Sequence, residues 1–290
     1  MRVVLFGGGG QIGREILRRA DARSLQIAAI DRARCDFMDP AADFDSAIAD
    51  SDAVINAAAY TAVDVAESDS ETAHQVNALS VGRLAAACAR ASVPIVHFST
   101  DYVFDGESPQ PYRESDETRP LSVYGATKLA GEKAIAAAGP THAILRVSWV
   151  FSAHRSNFVK TMLKLGREGR VRVVADQRGK PTPASAAGDA ALFVARQLSA
   201  KRISGVYHFA GEPETSRADF AAEIFRTAGM AVEIERISTA RYPRPARPPL
   251  YSALDCAKFE TEFGVRPPDW RTGLVEALAE IKHEPSEIAP

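Results

Sequence analysis

Short apolar runs alternate with alanine-rich helical stretches through the first half of the chain, and this alternation constrains the fold more than any other feature. The apolar runs, predicted to be strands, are residues 2–6, 25–31, 53–56, 95–99 and 143–147. The intervening helical patterns cover residues 11–19, 73–91 and 126–138. Strands that alternate with helices pair in parallel through right-handed crossovers. We therefore predict an α/β fold with a doubly wound parallel sheet.

A glycine-rich turn follows the first predicted strand and runs directly into the first predicted helix. Gly7, Gly10 and Gly13 have the spacing G-x-x-G-x-x-G. In such a turn the first glycine permits the tight bend and the second lets the backbone approach a pyrophosphate. The third packs the helix closely on the strand, and the helix N-terminus faces the phosphates. Because the flanking strand and helix supply the required context, the turn predicts a Rossmann-type dinucleotide site.

The second half of the chain has a different pattern, which predicts two domains. A helix over 186–198 and a strand over 206–209 extend the first sheet. Farther on, a Pro/Arg-rich loop over 241–249 separates a helix at about 217–228 from the terminal helices. We predict a dinucleotide-binding domain over 1–150, completed by roughly 186–210, and a smaller, mostly helical substrate lobe over 151–290. A ligand is expected in the crevice between them, at the carboxyl ends of the strands.

The residues after the second strand leave the nicotinamide cofactor open. Asp31 lies eighteen residues after Gly13, where an acid can hydrogen-bond the adenosine ribose, which favours NADH. Arg32 and Arg34 follow, and either one could pair with a 2′-phosphate, which favours NADPH. The cofactor is therefore expected to be NADPH or NADH.

Small side chains follow the third strand: Ala57, Ala58, Ala59 and Thr61. They let backbone atoms contact a cofactor, although they suit ordinary strand–helix packing equally well. Asp36 and Phe37 have two equal interpretations on spacing alone, a cofactor contact or a turn acid beside a core aromatic.

Tyr124 and Lys128 are the predicted acid–base pair. Their i, i+4 spacing at the start of a helix places phenol and ammonium on one face. A nearby cation favours the phenolate and draws the pKa of the phenol toward the working range. Lys128 can also hydrogen-bond the nicotinamide ribose. At the end of the fourth strand, Thr100 is the chosen hydroxyl for a substrate carbonyl; Ser99 is the alternative, since the two should point to opposite sides of the strand.

Composition narrows the class of protein further. A net charge of -2 over 290 residues gives no field that suggests a nucleic-acid partner. Three scattered cysteines fit a reducing compartment, and the six histidines show no metal-ligand spacing. No apolar run is long enough to span a bilayer, and the start of the chain does not resemble a signal peptide. We expect a cytoplasmic protein with no membrane or nucleic-acid partner.

Together these segments resemble the dTDP-4-dehydrorhamnose reductase family of extended short-chain dehydrogenases over nearly the whole chain. The matching segments are GGGGQIG at 7–13, CDFMDP at 35–40, VINAAAYTAVDVAES at 54–68, VHFSTDYVFDG at 96–106, VYGATKLAGEKA at 123–134, LRVSWVFS at 145–152, NFVKTML at 157–163 and DQRGKPT at 176–182. The resemblance implies NAD(P)H-dependent reduction of the C4 keto group of dTDP-4-dehydro-L-rhamnose, in nucleotide-sugar supply for cell-surface polysaccharides.

The resemblance also implies residue roles. Tyr124 would be the proton donor, Lys128 its modulator and Thr100 the hydroxyl that tunes the carbonyl. The residues that would line the cofactor are Gln11, Ile12, Asp36, Phe37, Ala59 and Thr61. Those that would face the sugar nucleotide are Asp101, Trp149 and Asn157, with residues 177–182 as part of its loop. For Trp149 a core aromatic is the alternative, and from charge Arg247 is offered as a contact to the diphosphate.

The same resemblance also bears on dehydration and on metal binding, two properties of related proteins. Sugar-nucleotide 4,6-dehydratases carry Thr-Asp-Glu at the strand end, whereas here Tyr102 follows Thr100 and Asp101, which disfavours elimination. Some family members bind magnesium through carboxylates at a dimer contact. Glu15 matches one such ligand, but Ser185 stands where another carboxylate is expected, so we assign no metal and leave magnesium and a homodimer as open alternatives.

Two other functions remain as alternatives. One is a reductase of a different 4-keto deoxysugar nucleotide, since pocket shape decides the substrate. The other is a non-catalytic regulatory subunit, because the resemblance extends to the β-subunit of methionine adenosyltransferase. An intact set of Thr100, Tyr124 and Lys128 argues against the second.

Overall fold

The computed structural model describes residues 1–20, 25–201 and 203–283, and its centre is a parallel sheet. The six strands are β1 (Arg2–Phe6), β2 (Gln26–Ile30), β3 (Ala53–Asn56), β4 (Ile95–Thr100), β5 (His142–Val147) and β10 (Gly205–His208). They lie in the order β2-β1-β3-β4-β5-β10, and every neighbouring pair is parallel. The predicted doubly wound sheet is confirmed. Its order reverses between β1 and β3, the position at which such sheets bind ligands.

Helices cover both faces of this sheet. Those on one face are α1 (Gln11–Ala20) and α8 (Ala184–Ala200), and those on the other are α2 (Phe44–Ala47), α5 (Ser80–Ala91) and α6 (Val123–Ala138). Successive strand residues point to opposite faces, so Val3 and Leu5 pack under α1 and α8 whereas Val4 and Phe6 pack under α2 and α5. Strand β1 is therefore apolar on both sides, as a buried parallel sheet requires.

The helix predicted over 73–91 is interrupted by a π-helical turn. After α3 (Val63–Ala66), α4 (Ser70–His74) is followed by π-helical Gln75–Leu79 before α5 begins. The π turn contains Asn77, whose side-chain oxygen accepts the Tyr60 N–H at 2.9 Å and whose amide nitrogen donates to Thr127 Oγ1 at 3.1 Å. Asn77 thus ties the loop after β3 to helix α6, a tertiary contact that the alanine periodicity does not reveal.

The second lobe packs around its own apolar core. Its helices are α7 (Phe158–Leu165), α9 (Arg217–Ala228) and α11 (Trp270–His283), and they bury Phe151, Phe220 and Trp270. Its strands are β6 (Val150–Phe151), β7 (Arg170–Val174), β8 (Arg178–Gly179), β9 (Thr182–Pro183), β11 (Thr215–Ser216) and β12 (Glu233–Ile237). The mostly helical lobe is confirmed, with small sheets β6-β9, β7-β12 and β8-β11 in addition. Most of these strands have two residues, too few to leave a period in the sequence.

Part of the C-terminal third returns to the first domain. Helix α10 (Ala257–Phe263) places Phe259 and Phe263 in the same apolar core as β5 and α8. Residues 284–290, which the sequence analysis assigns to the substrate lobe, lie outside the described residues. No helix in the described part of the chain is both long and apolar enough to cross a membrane.

Candidate active site

A cleft of about 820 Å³ opens at the carboxyl ends of β1, β3, β4 and β5, between the sheet and the second lobe. Most predicted site residues line it: Gly7, Gly10, Gln11, Ile12, Asp31, Asp36, Phe37, Ala57, Ala58, Ala59, Thr61, Thr100, Asp101, Tyr124, Lys128 and Trp149. Gly13 and Asn157 do not line it. The cleft thus brings the predicted cofactor, catalytic and substrate residues into one space.

The glycine-rich turn forms one wall of the cleft and has no room for side chains. Gly7 has φ +81°, and a Cβ there would lie 2.4 Å from the backbone carbon of Ala57. A Cβ on Gly13 would lie 2.2 Å from the carbonyl oxygen of Gly7, so Gly13 acts by letting α1 pack on the turn. The Gly10 N–H closes the turn on the same carbonyl at 3.0 Å. This close backbone cradle at the start of α1 fits a dinucleotide diphosphate.

The expected adenosine end of the cleft carries both an acid and a cation. Asp31 and Arg32 both line it, so the choice between NADH and NADPH stays open. The Asp31 carboxylate accepts the Arg34 N–H at 3.0 Å, which fixes the turn after β2.

For Asp36 and Phe37 the sequence left two interpretations open, a cofactor contact or a turn acid beside a core aromatic, and the structure is compatible with both. Asp36 accepts the Met38 N–H at 2.9 Å, as a turn acid does. Phe37 packs edge-on against Phe44, with ring centroids 5.2 Å apart. Both residues also line the cleft, so this turn contributes to the apolar core and to the surface of the cleft.

Tyr124 and Thr100 both line the cleft, and the Thr100 side chain is near enough to the phenol to oppose in part the burial that raises the pKa of Tyr124. Thr100 lies at the end of β4, and its Oγ1 also accepts the Tyr102 N–H at 3.2 Å. Ser99, the alternative hydroxyl, also lines the cleft, but it donates to Glu132 Oε1 at 2.5 Å. Because Ser99 is bound to this buried carboxylate, Thr100 stays the predicted hydroxyl for the substrate carbonyl.

Lys128 is buried behind Tyr124, and its ammonium group is already engaged. Lys128 Nζ donates to the Phe98 carbonyl at 2.7 Å, and burial lowers the pKa of Lys128 to about 8. We expected Lys128 to lower the pKa of Tyr124, but burial instead raises the pKa of Tyr124 above its ordinary value. A phenol that stays protonated at neutral pH is suited to donate a proton.

Asp101 presents an unpaired carboxylate oxygen to the cleft. Its Oδ1 lies 3.2 Å from the Thr100 hydroxyl, whereas its buried Oδ2 has no hydrogen-bond partner among the described residues. Burial raises the pKa of Asp101 to about 6. Because a buried acceptor without a partner is costly, this oxygen is a natural place for a ligand hydroxyl.

Trp149 is held in a strained conformation at the mouth of the cleft. Its φ of +48° is unusual for a bulky residue, and such strain concentrates at functional sites. The indole lies so close to Gly179 that a Cβ there would be 2.6 Å from the ring. Trp149 was predicted either to face the sugar nucleotide or to be a core aromatic. Its half-buried ring packs against the second-lobe core and also lines the cleft, so the structure is compatible with both.

Arg217 is a functional candidate that the sequence analysis missed. Its guanidinium carbon lies 3.7 Å from the centroid of the Trp149 ring and 5.1 Å from that of Phe158. Arg217 lines the cleft, and no carboxylate among the described residues pairs with it. The exposed Arg247, offered from charge, does not line the cleft. An arginine in the first turn of α9 carries no signal in the sequence, because only the fold places it beside Trp149.

Asn157 shapes the chain instead of lining the cleft. Its Oδ1 accepts the Lys160 N–H at 3.2 Å and caps α7, and its Nδ2 donates to the Ser152 carbonyl at 2.9 Å and the His154 carbonyl at 3.2 Å. The structure therefore places this amide in the turn before α7, away from the predicted sugar contact.

The position expected for magnesium holds an ion-pair network. Glu15, His154 and Glu280 lie close together, and Glu15 is buried. The Glu15 carboxylate accepts from Arg18 at 2.8 Å and from Arg19 at 3.3 Å. Since two guanidinium groups already neutralise it, this cluster does not fit a magnesium site.

Comparisons with known proteins agree with this geometry. The model of the RmlD substrate binding domain family matches residues 1–283. A dTDP-4-dehydrorhamnose reductase of Sinorhizobium fredii is 43% identical over 93% of this chain and 94% of its own length. The crystal structure of a dTDP-4-dehydrorhamnose reductase from Clostridium acetobutylicum superposes with a TM-score of 0.91 at 35% identity, covering 97% of this chain and 100% of that one.

A further solved structure bears on the cofactor. The dTDP-4-dehydrorhamnose reductase of Bacillus anthracis, in complex with NADP, has a TM-score of 0.89 and 30% identity, covering 96% of this chain and 99% of that one. The family model matches nearly the whole of this chain. Each of these relatives and solved structures matches it over nearly the full length of both chains. The chain belongs to the dTDP-4-dehydrorhamnose reductase family, whose model is that of the RmlD substrate binding domain.

Proposed function

We propose that this chain reduces the C4 keto group of dTDP-4-dehydro-L-rhamnose to dTDP-L-rhamnose, with NADPH or NADH as reductant. The observation that carries the proposal is that Tyr124 and Thr100 line the same cleft as the glycine-rich turn. A hydroxyl pair beside a dinucleotide cradle is the arrangement that carbonyl reduction needs. The names of the relatives supply the sugar and the nucleobase.

The chain's own contribution to the reaction is proton donation and charge stabilisation. The bound reduced nicotinamide supplies the hydride. As negative charge grows on the carbonyl oxygen, Tyr124 donates its proton and Thr100 holds that oxygen by a hydrogen bond. The raised pKa of Tyr124, caused by burial, keeps the phenol in the protonated form that this step requires.

Substrate recognition combines groups from both lobes. Asp101 Oδ2, which has no partner among the described residues, accepts a hydroxyl hydrogen of the sugar nucleotide. Trp149 supplies an aromatic surface, and the Arg217 guanidinium stacked on it meets the diphosphate. Tyr102 stands where a dehydratase has a second acid, so the cleft favours reduction over elimination.

Steady-state oxidation of NADPH and of NADH with dTDP-4-dehydro-L-rhamnose tests the proposal, with the product identified by NMR. Formation of dTDP-L-rhamnose supports it and ranks the two cofactors. Turnover only with another 4-keto deoxysugar nucleotide moves the substrate assignment to that sugar. Cofactor binding without turnover of any such nucleotide contradicts the proposal and favours a regulatory subunit, which co-purification with a partner synthetase would identify.

Three further expectations stand as proposals beside the reaction. Residues 1–150, with roughly 186–210, bind the dinucleotide, and most of 151–290 binds the sugar nucleotide. The cytoplasm is the expected location and no nucleic-acid partner is expected, while a homodimer is the open alternative for the assembly. Sedimentation of the purified chain tests the dimer, and a monomer at all working concentrations would contradict it.

A further inference from the structure

Behind the cleft, Lys128 ends a buried chain of polar side chains that starts at Asn56. Asn56 Nδ2 lies 3.0 Å from His97 Nδ1, and His97 Nε2 lies 3.2 Å from Lys128 Nζ. Asn56 and His97 are fully buried, and Lys128 is 2% exposed. All three lie in or beside the central sheet: Asn56 at the end of β3, His97 in β4, and Lys128 in α6. Contacts this enclosed have fixed partners, so the direction of each hydrogen bond can be worked out.

The orientation of the Asn56 amide sets the first bond. The Ala58 N–H points at Asn56 Oδ1 at 3.0 Å, and a backbone N–H can only donate. The amide oxygen therefore faces Ala58, and the amide NH₂ group faces His97. Since the NH₂ group can only donate, His97 Nδ1 accepts and carries no proton.

The His97 tautomer follows from this bond. Burial holds the pKa of His97 well below its ordinary value, so the ring is neutral. A neutral imidazole carries one proton, which must then lie on Nε2, the atom that faces Lys128. An ammonium group has no lone pair and cannot accept a hydrogen bond from this N–H. A neutral amine has one lone pair and can accept it.

From this geometry we propose that Asn56 and His97 are positioning residues that stabilise the neutral amine form of Lys128. Burial also favours the neutral amine and lowers the pKa of Lys128, whereas the charge of Glu132 raises it. The Phe98 carbonyl accepts one amine hydrogen. Glu132, the nearest acid, is bound by Arg146 at 2.7 Å and by Ser99, so its charge is already paired.

The arrangement has a consequence for the proton balance of the reduction, and this consequence rests on the proposed function. When Tyr124 gives its proton to the product oxygen, a phenolate remains. A proton that passes from the Lys128 ammonium toward this phenolate leaves a neutral amine, and the His97 N–H then binds its lone pair. Lys128 regains a proton from solvent before the next turnover. His97 thus makes Lys128 a readier proton donor than an isolated lysine.

Nitrogen NMR of the full, cofactor-free chain tests the tautomer directly and needs no substrate. In a ¹⁵N-labelled sample, the signals missing from His97→Gln identify His97. We expect its proton on Nε2. His142 is an internal reference of the opposite type, because its Nδ1 lies 2.9 Å from the Pro140 carbonyl, which can only accept. A proton on Nδ1 of His97, or an imidazolium near neutral pH, would overturn the proposal even if the reductase activity is found.

Asn56→Asp tests the effect on Lys128. A carboxylate accepts from both the Ala58 N–H and His97 Nδ1, so it moves the His97 proton to Nδ1 and turns a lone pair toward Lys128. The ammonium is then favoured, and we expect the alkaline limit of kcat to rise by about one pH unit. His142→Gln should leave this limit unchanged.

The double variant Asn56→Asp/His97→Gln separates the tautomer from the added charge. It keeps the new carboxylate but removes the imidazole. We expect most of the shift to disappear in the double variant. An equal shift in both variants, or no shift in Asn56→Asp, would overturn the proposal. If Asn56→Asp does not fold, the tautomer of the unmodified chain still decides it. A wild type that reduces no sugar nucleotide would refute the proposed function and leave the tautomer result standing.

Discussion

The guanidinium of Arg217 stacks on the indole of Trp149, with its central carbon 3.7 Å from the ring centroid. The stack joins the first turn of α9 to the end of β5 and fills the substrate side of the cleft. Burial lowers the pKa of Arg217, yet an arginine remains charged under all ordinary conditions. A charged group without a carboxylate partner among the described residues is therefore fixed beside the aromatic surface.

Arg217→Gln should weaken binding of the sugar nucleotide. Hydrogen bonds to charged groups are worth about 1.5–3 kcal/mol, so we expect the Kd for dTDP-L-rhamnose to rise about 10- to 100-fold. Calorimetry on the cofactor-loaded protein measures it. Arg241→Gln, which removes an exposed arginine that does not line the cleft, is the matched control. Equal affinity for dTDP-L-rhamnose in Arg217→Gln and wild type would exclude a role of Arg217 in binding the diphosphate.

Tyr124→Phe should remove the proton donor and leave the cleft shape unchanged. A positioned general acid contributes about 10²- to 10⁴-fold, and we expect kcat to fall by that factor. Cofactor affinity, measured by nicotinamide fluorescence, should change little. Thr100→Val is expected to give a smaller loss. Full turnover in Tyr124→Phe would contradict the assignment.

The affinity for the sugar nucleotide should depend on Asp101 ionisation. Burial raises the pKa of Asp101 to about 6, and the ionised carboxylate is the better hydrogen-bond acceptor. The Kd for dTDP-L-rhamnose should therefore rise as the pH falls through about 6, and Asp101→Asn should flatten this dependence. Calorimetric titrations between about pH 5 and 7 measure it. A pH-dependent Kd that persists in Asp101→Asn would exclude this group.

Stability should depend on the buried ion pair beneath the cleft. Glu132 and Arg146 are each about 4% exposed and lie 2.7 Å apart. Glu132→Gln leaves a buried guanidinium without its charge partner, so the free energy of unfolding should fall by about 3–5 kcal/mol. Urea denaturation measures the change. Glu117→Gln, which breaks the exposed pair with Arg119, should cost less than about 1 kcal/mol. Similar losses in both variants would refute this argument.

Local sequence patterns predicted the sheet and the centre of the site. The glycine spacing at 7–13 and the i, i+4 pair of Tyr124 and Lys128 each span only a few residues. Local backbone geometry places such residues side by side, so the sequence alone predicts that they are neighbours. The period of two along β4 predicts that Thr100 and Ser99 point to opposite sides of the strand. The structure adds that Ser99 is held by Glu132.

Other features depend on contacts between distant segments and left no local pattern. Arg217 and Trp149 are far apart in sequence and meet only through the fold. The π turn at Gln75–Leu79 reflects hydrogen bonds of Asn77 to another loop and another helix, whereas the sequence shows only a helical period. Asn157, which the resemblance places at the sugar, also caps α7, a second role that the sequence pattern did not predict.

The division of the cleft between the two lobes separates chemistry from choice of substrate. The proposed proton donor and its partner hydroxyl belong to α6 and β4, whereas the Trp149–Arg217 stack rests on Gly179 and the start of α9. Substitutions in the second set can alter which nucleotide sugar enters without changing the acid that protonates it. A lineage that needed a new sugar could reshape this surface alone, and an engineer could follow the same route by varying residues around Gly179 and Arg217.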